Sequence, residues 1–290
     1  MMKEIHVSAC AKINLGLRIV SKREDGYHNI ETVFQQIDLC DDITITTLSD
    51  SGVKVHSSDP QIPQNENNIC AKAAKLLGLS YGIGSGVEIY IEKRIPMGAG
   101  LGGGSSDAAA VLKGLAQLWN LNIPENEMVS LARQVGADVP FFLKGGSALA
   151  TGIGDELTPL NLATNYYCLL VYPNIEISST WAYSNYNFNL TKTKKSIKLP
   201  HLFSNDWDIF KLKSTGCNDF EELVFQRFPE LSDIKTTLYQ VGAFFACMSG
   251  SGSTVFGLFD SEEKTQEVRS TNFKHYQVFF TKPMTLQNRL

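Results

Sequence analysis

The sequence predicts an α+β protein of two domains, and three observations carry that reading. Alternating apolar and polar residues dominate the first ninety or so positions, as in KEIHVSA, ITITTL at 43–48 and VEIYIEK at 87–93. Helical spacing takes over from Ser105, where Ala108, Val111, Leu112, Leu115 and Trp119 share one face. Beyond residue 160 strand-like and helix-like segments mix again, in a chain of 290 residues whose length suits two domains.

In chain order, the strand patterns are interrupted by NNICAKAAKLLGL, which puts Ile69, Ala73, Leu76 and Leu77 on one helical face with Gly78 as its stop. The helix of SSDAAAVLKGLAQLWN has Ser105 or Ser106 available as N-cap. Pro124 opens a further helix as its first residue, with Met128, Leu131, Ala132 and Val135 inward and Gly136 at its end. TGIGDELTPLNLATN is rich in turn formers and has no long period. The domain boundary is placed there, giving domains 1–160 and 161–290. The second half then reads as a strand, YYCLLVYP, a polar loop around TKTKKSIKLPH, two Pro-bounded helical patterns up to Val241, and strands in FFACMS, TVFGLFD and HYQVFFTK.

Composition excludes several classes. With 26 Lys+Arg against 30 Asp+Glu, the net charge of −4 argues against a generic nucleic-acid binder. Hydrophobic residues at 43% and charged residues at 19% supply a core and argue against wholesale disorder. The six cysteines, at 10, 40, 70, 168, 217 and 247, form no CxxC pair and have no His at zinc-ligand spacing, so free thiols in a reducing compartment are expected. Lys12, Asn14 and Arg18 interrupt the apolar opening of the chain, and no apolar run approaches eighteen residues. A cytoplasmic protein with neither membrane nor nucleic-acid partner is the expectation.

One segment departs from ordinary core sequence. Pro96, Met97, Gly98, Ala99, Gly100, Leu101, Gly102, Gly103, Gly104, Ser105 and Ser106 include five glycines in seven residues, just ahead of a helix. Such density costs backbone entropy and is tolerated where the chain turns sharply or approaches a ligand closely. A glycine loop feeding a helix N-terminus gathers backbone N–H groups and the positive end of the helix dipole, which suits a phosphate. Gly98, Gly100 and Gly103 satisfy GxGxxG, but KRIP precedes them and no acid stands near 118–123, so the dinucleotide fold is disfavoured. No Lys follows the glycines, which excludes a Walker A loop.

PMGAGLGGGSSDAA, with AKINLGLRIVSKREDGYHNIETVF from Ala11 and CMSGSGSTVFGLF from Cys247, resembles the three motifs of the small-molecule kinase superfamily of galactokinase, homoserine kinase, mevalonate kinase and phosphomevalonate kinase. The resemblance implies a two-domain fold with the active site in the cleft between domains, and ATP-dependent phosphorylation of a small alcohol with ATP and Mg2+. DGYHNIETVF and GADVPFF bring the chain nearest to the branch whose substrate is a cytidine-diphosphate-linked methylerythritol. A superfamily kinase for another alcohol, such as a sugar or mevalonate, is the alternative.

Site residues follow from that resemblance and from their chemistry. The loop 96–106 cradles the triphosphate, with the serine that reaches phosphate or magnesium left open and Ser106 the choice for the metal. Asp138, beside two phenylalanines in VGADVPFF, is implied as the catalytic base, since partial burial suits that role. Lys12, in an apolar strand, is costly to bury unless paired, and Asp138 is its expected partner. Asn14 lies two residues on and so on the same strand face, within reach of substrate or base. Tyr27 and His28 combine a stacking surface with a donor and acceptor for the cytosine. Tyr183, with Trp181 in reserve, is expected to complete a sandwich around it. Lys93 and Asn67 are implied near the adenine, and the serine-glycine run 249–254 either closes over the phosphates or supports the first motif.

Overall fold

The structure, a computed structural model, describes residues 3–187, 209, 212 and 217–285. Two long strands open the chain, β1 (Glu4–Lys22) and β2 (His28–Thr47), and they pair with each other. The fold is α+β, as expected. It forms two compact units, one of Met1–Ala11, Leu39–Met97 and Gly102–Lys144, the other of Lys12–Asp38, Gly98–Leu101 and Gly145–Leu290. The chain therefore passes between units several times. Both long strands contribute residues to both units, which an unbroken alternating pattern does not disclose.

In the first unit, β3 (Val53–Ser57) runs parallel to β4 (Val87–Glu92), with α1 (Ile69–Ser80) as the crossover. The end of β2 pairs antiparallel with β4, from Asp42 opposite Glu92 to Thr47 opposite Val87. Ile43, Ile45, Val87, Ile89 and Ile91 point inward at every second position. The helices α2 (Gly103–Leu118), α3 (Glu125–Val135) and α4 (Val139–Lys144) complete the unit. The alanines of α2 let it lie close to the strands; at Gly114 even a Cβ would come 2.8 Å from Ile45 Cδ1.

Helix ends differ from expectation by a few residues. Asn68 caps α1, its Oδ1 accepting from the Cys70 N–H at 2.8 Å, and the helix runs through Gly78 to Ser80. Ser105 and Ser106 are not caps but part of the first turn of α2, because Gly102, at φ +71°, starts the helix earlier. Pro124 immediately precedes α3; Leu131 and Ala132 are buried, while Met128 and Val135 are half-buried.

In the second unit, the start of β2 pairs with β5 (Ser147–Thr151), which pairs with β6 (Glu156–Leu160) inside the turn-rich stretch. A separate antiparallel sheet is ordered β10–β7–β9–β8, from β7 (Tyr167–Tyr172), β8 (Phe245–Met248), β9 (Val255–Phe259) and β10 (Gln277–Thr281). Around it lie α5 (Ser179–Asn185), α6 (Glu221–Arg227), α7 (Pro229–Gln240) and α8 (Glu262–Thr271). Helix α8 forms from SEEKTQEVRS, read from the sequence only as a spacer; Ser261 caps it and the helix ends at Thr271. Leu169, Val171, Leu231, Ile234, Leu238, Val255 and Phe259 form the heart of this unit's core. TKTKKSIKLPH lies outside the described residues.

The expectation of six free thiols is corrected: Cys10 and Cys40 form a disulfide, with Cα atoms 3.9 Å apart. Thirty residues separate them in sequence. Only the pairing of β1 with β2 makes them neighbours. Cys70, Cys168 and Cys247 are buried free thiols. Among the described residues, no helix is long and apolar enough to cross a membrane.

Candidate functional site

The glycines of 98–104 serve different needs. Gly98, Gly100 and Gly102 have φ of +61°, +77° and +71°, a region that side chains other than glycine rarely adopt. At Gly100 a Cβ would also lie 2.0 Å from the Ser249 carbonyl oxygen, so the loop and the serine-glycine run touch backbone to backbone. Gly103 has no positive φ; its constraint is space, since a Cβ there would meet Ile95 Cγ2 at 3.0 Å and Lys93 Nζ at 3.4 Å. Gly104 has room, its nearest neighbour being Ile69 Cγ2 at 3.6 Å. Neither packing nor conformation explains a glycine at that position.

No side chain caps α2, and its first turn holds no acid. Its leading N–H groups therefore suit an anion, as the triphosphate requires. The two serines are separated by their surroundings. Ser106 is 2% exposed and its hydroxyl donates to the Cys10 carbonyl at 2.8 Å, whereas Ser105 is half-buried. Ala99 and Leu101 are buried, their carbonyls accepting from the N–H groups of Thr254 and Lys12. Pro96 and Met97 are half-buried.

Lys12 is 4% exposed. Its Nζ donates to Asn14 Oδ1 at 2.7 Å and to the Gly100 carbonyl at 3.0 Å, and lies 5.2 Å from the centre of the Phe34 ring. Asn14, in turn, donates from Nδ2 to Thr32 Oγ1 at 2.7 Å, and Thr32 donates to the Gly16 carbonyl at 2.6 Å. Ser249 Oγ accepts from the Asn14 N–H at 3.3 Å and donates to the Gly100 carbonyl at 2.9 Å. The 249–254 run thus supports both the first motif and the loop. Asp138 is half-buried, in the turn that leads into α4.

Lys93 is an interior charge. Its side chain is 5% exposed, and Nζ bonds Asp41 Oδ2 at 2.5 Å and Asp107 Oδ2 at 2.8 Å. Asp41 Oδ1 also accepts from the N–H groups of Arg94 and Ile95. Burial alone would lower the Lys93 pKa; the pull of Asp107 and Asp41 outweighs it and raises it. Burial pushes Asp107 up to about 7, against the opposing pull of Lys93 and with Asp41 adding to the rise. Asp107 Oδ1 has no hydrogen-bond partner among the described residues. Asn67 is exposed in the Asn-rich turn, its N–H donating to Asn65 Oδ1.

Tyr27 is 61% exposed on a turn held by Asp25, whose Oδ1 accepts from the Tyr27 N–H at 3.0 Å. His28 is buried, and its ring stacks on Tyr183 with centroids 5.2 Å apart and planes 23° from parallel. Burial, then the charge of Lys22, lowers the His28 pKa. Tyr183 in turn meets Phe220 edge-on at 4.9 Å. The His28 and Tyr183 rings are thus already in contact with each other. Trp181 packs edge-on against Phe228, into the core.

Four residues escaped the sequence reading. Asp41 and Asp107 make the buried triad with Lys93, and the only hint was an acid inside the alanine-rich run SSDAAAV. Asn218 is buried and donates to the carbonyls of Met248 and Gly250 at 2.8 and 2.7 Å, so it shapes the serine-glycine run from a distant segment. Asp219 pairs with Arg18 at 3.4 Å and accepts from the Ile19 N–H. Nothing local in GCNDF marks either residue.

Residues 68–146 match the GHMP kinases N terminal domain, and residues 199–277 match the GHMP kinases C terminal domain. The chain is 41% identical over 268 residues to 4-diphosphocytidyl-2-C-methyl-D-erythritol kinase of Chlorobaculum parvum, covering 92% of this chain and 93% of that one. With the protein of the same name from Chlorobium chlorochromatii it shares 44% identity over 261 residues, 89% of each chain. A crystal structure of 4-(cytidine 5'-diphospho)-2C-methyl-D-erythritol kinase superposes with a TM-score of 0.80 at 31% identity, covering 96% of this chain and 99% of the other. A homoserine kinase from Cytophaga hutchinsonii shares the fold, with a TM-score of 0.75 at 21% identity over 97% of this chain and 96% of its own. The chain belongs to the GHMP kinases, and within them to the family of the 4-diphosphocytidyl-2-C-methyl-D-erythritol kinases.

Proposed function

We propose that the protein uses ATP to phosphorylate the 2-hydroxyl of 4-diphosphocytidyl-2-C-methyl-D-erythritol, a step of the non-mevalonate route to isoprenoid precursors. The observation that carries this reading is the 41% identity to a kinase of that name over nine-tenths of the chain. In the reaction the hydroxyl oxygen bonds the γ-phosphorus, the bond to the β-bridging oxygen breaks to release ADP, and the hydroxyl proton leaves.

Asp138 takes that proton, and Lys12 offsets charge on the attacking oxygen. The loop 96–104 and the N-terminus of α2 hold the triphosphate. Lys93 and Asn67 lie on the adenine side, where Lys93 acts through the triad it anchors. Magnesium, when bound, would neutralise phosphate charge; Ser106 is the serine proposed to reach it, since its hydroxyl gives its proton to the Cys10 carbonyl and keeps its lone pairs for a metal. Tyr183 offers a ring, and Tyr27 and His28 offer polar groups, to the cytidine-linked alcohol; Asn14 serves it through Lys12, from whose ammonium its Oδ1 accepts. The sequence domains 1–160 and 161–290, and a cytoplasmic location, belong to the same proposal.

ADP release measured with a panel of alcohols tests it. Turnover is expected with the cytidine-linked methylerythritol and not with mevalonate, homoserine or galactose. Equal turnover with one of those would move the protein to another branch of the superfamily.

A further inference from the structure

We propose that Thr32 is a positioning residue for the transfer reaction, one that fixes which end of the Asn14 amide faces Lys12. The inference rests on the reading of Lys12 as catalytic. It follows from counting donors and acceptors along one buried chain of hydrogen bonds.

Thr32 is 0% exposed, on β2 opposite Ala150 of β5. Its hydroxyl has one proton, and that proton goes to the Gly16 carbonyl at 2.6 Å, a group that can only accept. Toward Asn14, 2.7 Å away, the hydroxyl therefore offers a lone pair and requires the NH2 end of the amide. The other end, Oδ1, is thereby turned to Lys12 Nζ at 2.7 Å, which has only protons to give. Every link has one permitted direction, from Lys12 through Asn14 and Thr32 to Gly16. Both Asn14 and Thr32 are buried, so water does not restore a misdirected link.

Without the Thr32 hydroxyl, the amide loses the partner that orients it. The flipped amide would set NH2 protons against an ammonium, and Lys12 would leave its place near the Gly100 carbonyl. The consequence falls on the chemical step rather than on binding, because Lys12 acts on the attacking oxygen and its proton.

The test compares Thr32→Val, Thr32→Ser, Lys12→Met and Thr32→Val combined with Asn14→Asp. Thr32→Val replaces the hydroxyl by a methyl of the same shape, and kcat is expected to fall ~10- to 100-fold with both KM values nearly unchanged. Thr32→Ser keeps donor and acceptor and should hold kcat within about threefold of wild type. Adding Asn14→Asp to Thr32→Val should recover part of the loss, because a carboxylate presents oxygen to Lys12 whichever way it turns. Thr32→Ala carries the same expectation as Thr32→Val and replaces it if that variant does not fold.

Loss of kcat in Thr32→Val that neither Thr32→Ser nor Asn14→Asp relieves would mean a packing role and overturn the inference. So would unchanged kcat in Thr32→Val while Lys12→Met is inactive. An active Lys12→Met would instead remove the reading of Lys12 on which the inference stands.

Discussion

His28 and Tyr183 lie face to face, their ring centroids 5.2 Å apart, although 155 positions separate them in the chain (183 − 28). One ring comes from the start of β2 and the other from α5. Phe220 holds the edge of Tyr183 from another side.

Base stacking on an aromatic ring is worth ~1 to 3 kcal/mol by alanine substitution. Tyr183→Ala should therefore raise KM for the cytidine-linked alcohol roughly 10- to 100-fold and leave KM for ATP unchanged. Trp181→Ala should instead lower thermal stability with little effect on either KM, since its ring packs on Phe228. Steady-state kinetics with each substrate varied separately, plus a melting curve, checks both.

Burial lowers the His28 pKa below its ordinary 6.5, so the ring is neutral at pH 7, with one nitrogen donating and the other accepting. KM for the alcohol should be flat above pH 6.5 and rise as acid protonates the ring. Stability follows the same sign. The unfolded chain takes up that proton first, so the folded state loses stability as pH falls through 6.5 toward the lower folded pKa. His28→Phe should remove the His28 part of both dependences; unchanged pH profiles in that variant would assign them elsewhere.

Gly104 separates ligand approach from architecture. Gly104→Ala meets nothing closer than 3.6 Å and should keep or slightly raise the melting temperature, yet weaken ATP binding if phosphate comes close to that backbone. Gly100→Ala should destabilise the protein itself, because its Cβ would lie 2.0 Å from the Ser249 carbonyl at a φ of +77°. Calorimetry with a non-hydrolysable ATP analogue reads the first effect. Unaltered affinity in Gly104→Ala would place the triphosphate away from that residue.

The Lys93 triad carries one more carboxylate than lysine. With Asp107 pushed up from 3.8 to about 7, the folded state holds an extra proton between those values, and its stability falls as pH rises through that window. Asp107→Asn mimics the protonated acid and should flatten this slope in urea titrations from pH 4 to 8. Lys93→Met leaves Asp41 and Asp107 buried without their cation and should cost ~3 to 5 kcal/mol. Equal stabilities for the two variants would contradict the triad.

Lys12→Met and Asp138→Asn should each lower turnover by ~10² to 10⁴, and the double variant little further, because the proposal has them act as one unit. Fully additive losses in single-turnover rates would show that they act independently.

Elements with strong local signals were legible from the chain alone. Alternation marked the strands, helical spacing marked α1 to α3, and glycine density marked the loop, because each depends on residues within a turn or two of one another. The three motifs identified the superfamily for the same reason. Where a helix began or a partner lay was less visible. Gly102 rather than a serine starts α2 because a left-handed backbone turn precedes it, and α8 formed from a segment whose charged residues masked its period.

Tertiary structure decided what depends on residues far apart in sequence. Cys10 meets Cys40 through strand pairing, Asp41 and Asp107 converge on Lys93 from different elements, and Asn218 shapes a loop 30 positions away. Lys12 illustrates the division. Its apolar surroundings in sequence required that a buried charge be compensated, but not by which groups. The fold supplied Asn14 and the Gly100 carbonyl, and oriented Asn14 through Thr32. Sequence periodicity states which face of an element is buried; only packing states which polar atoms come within hydrogen-bond reach there.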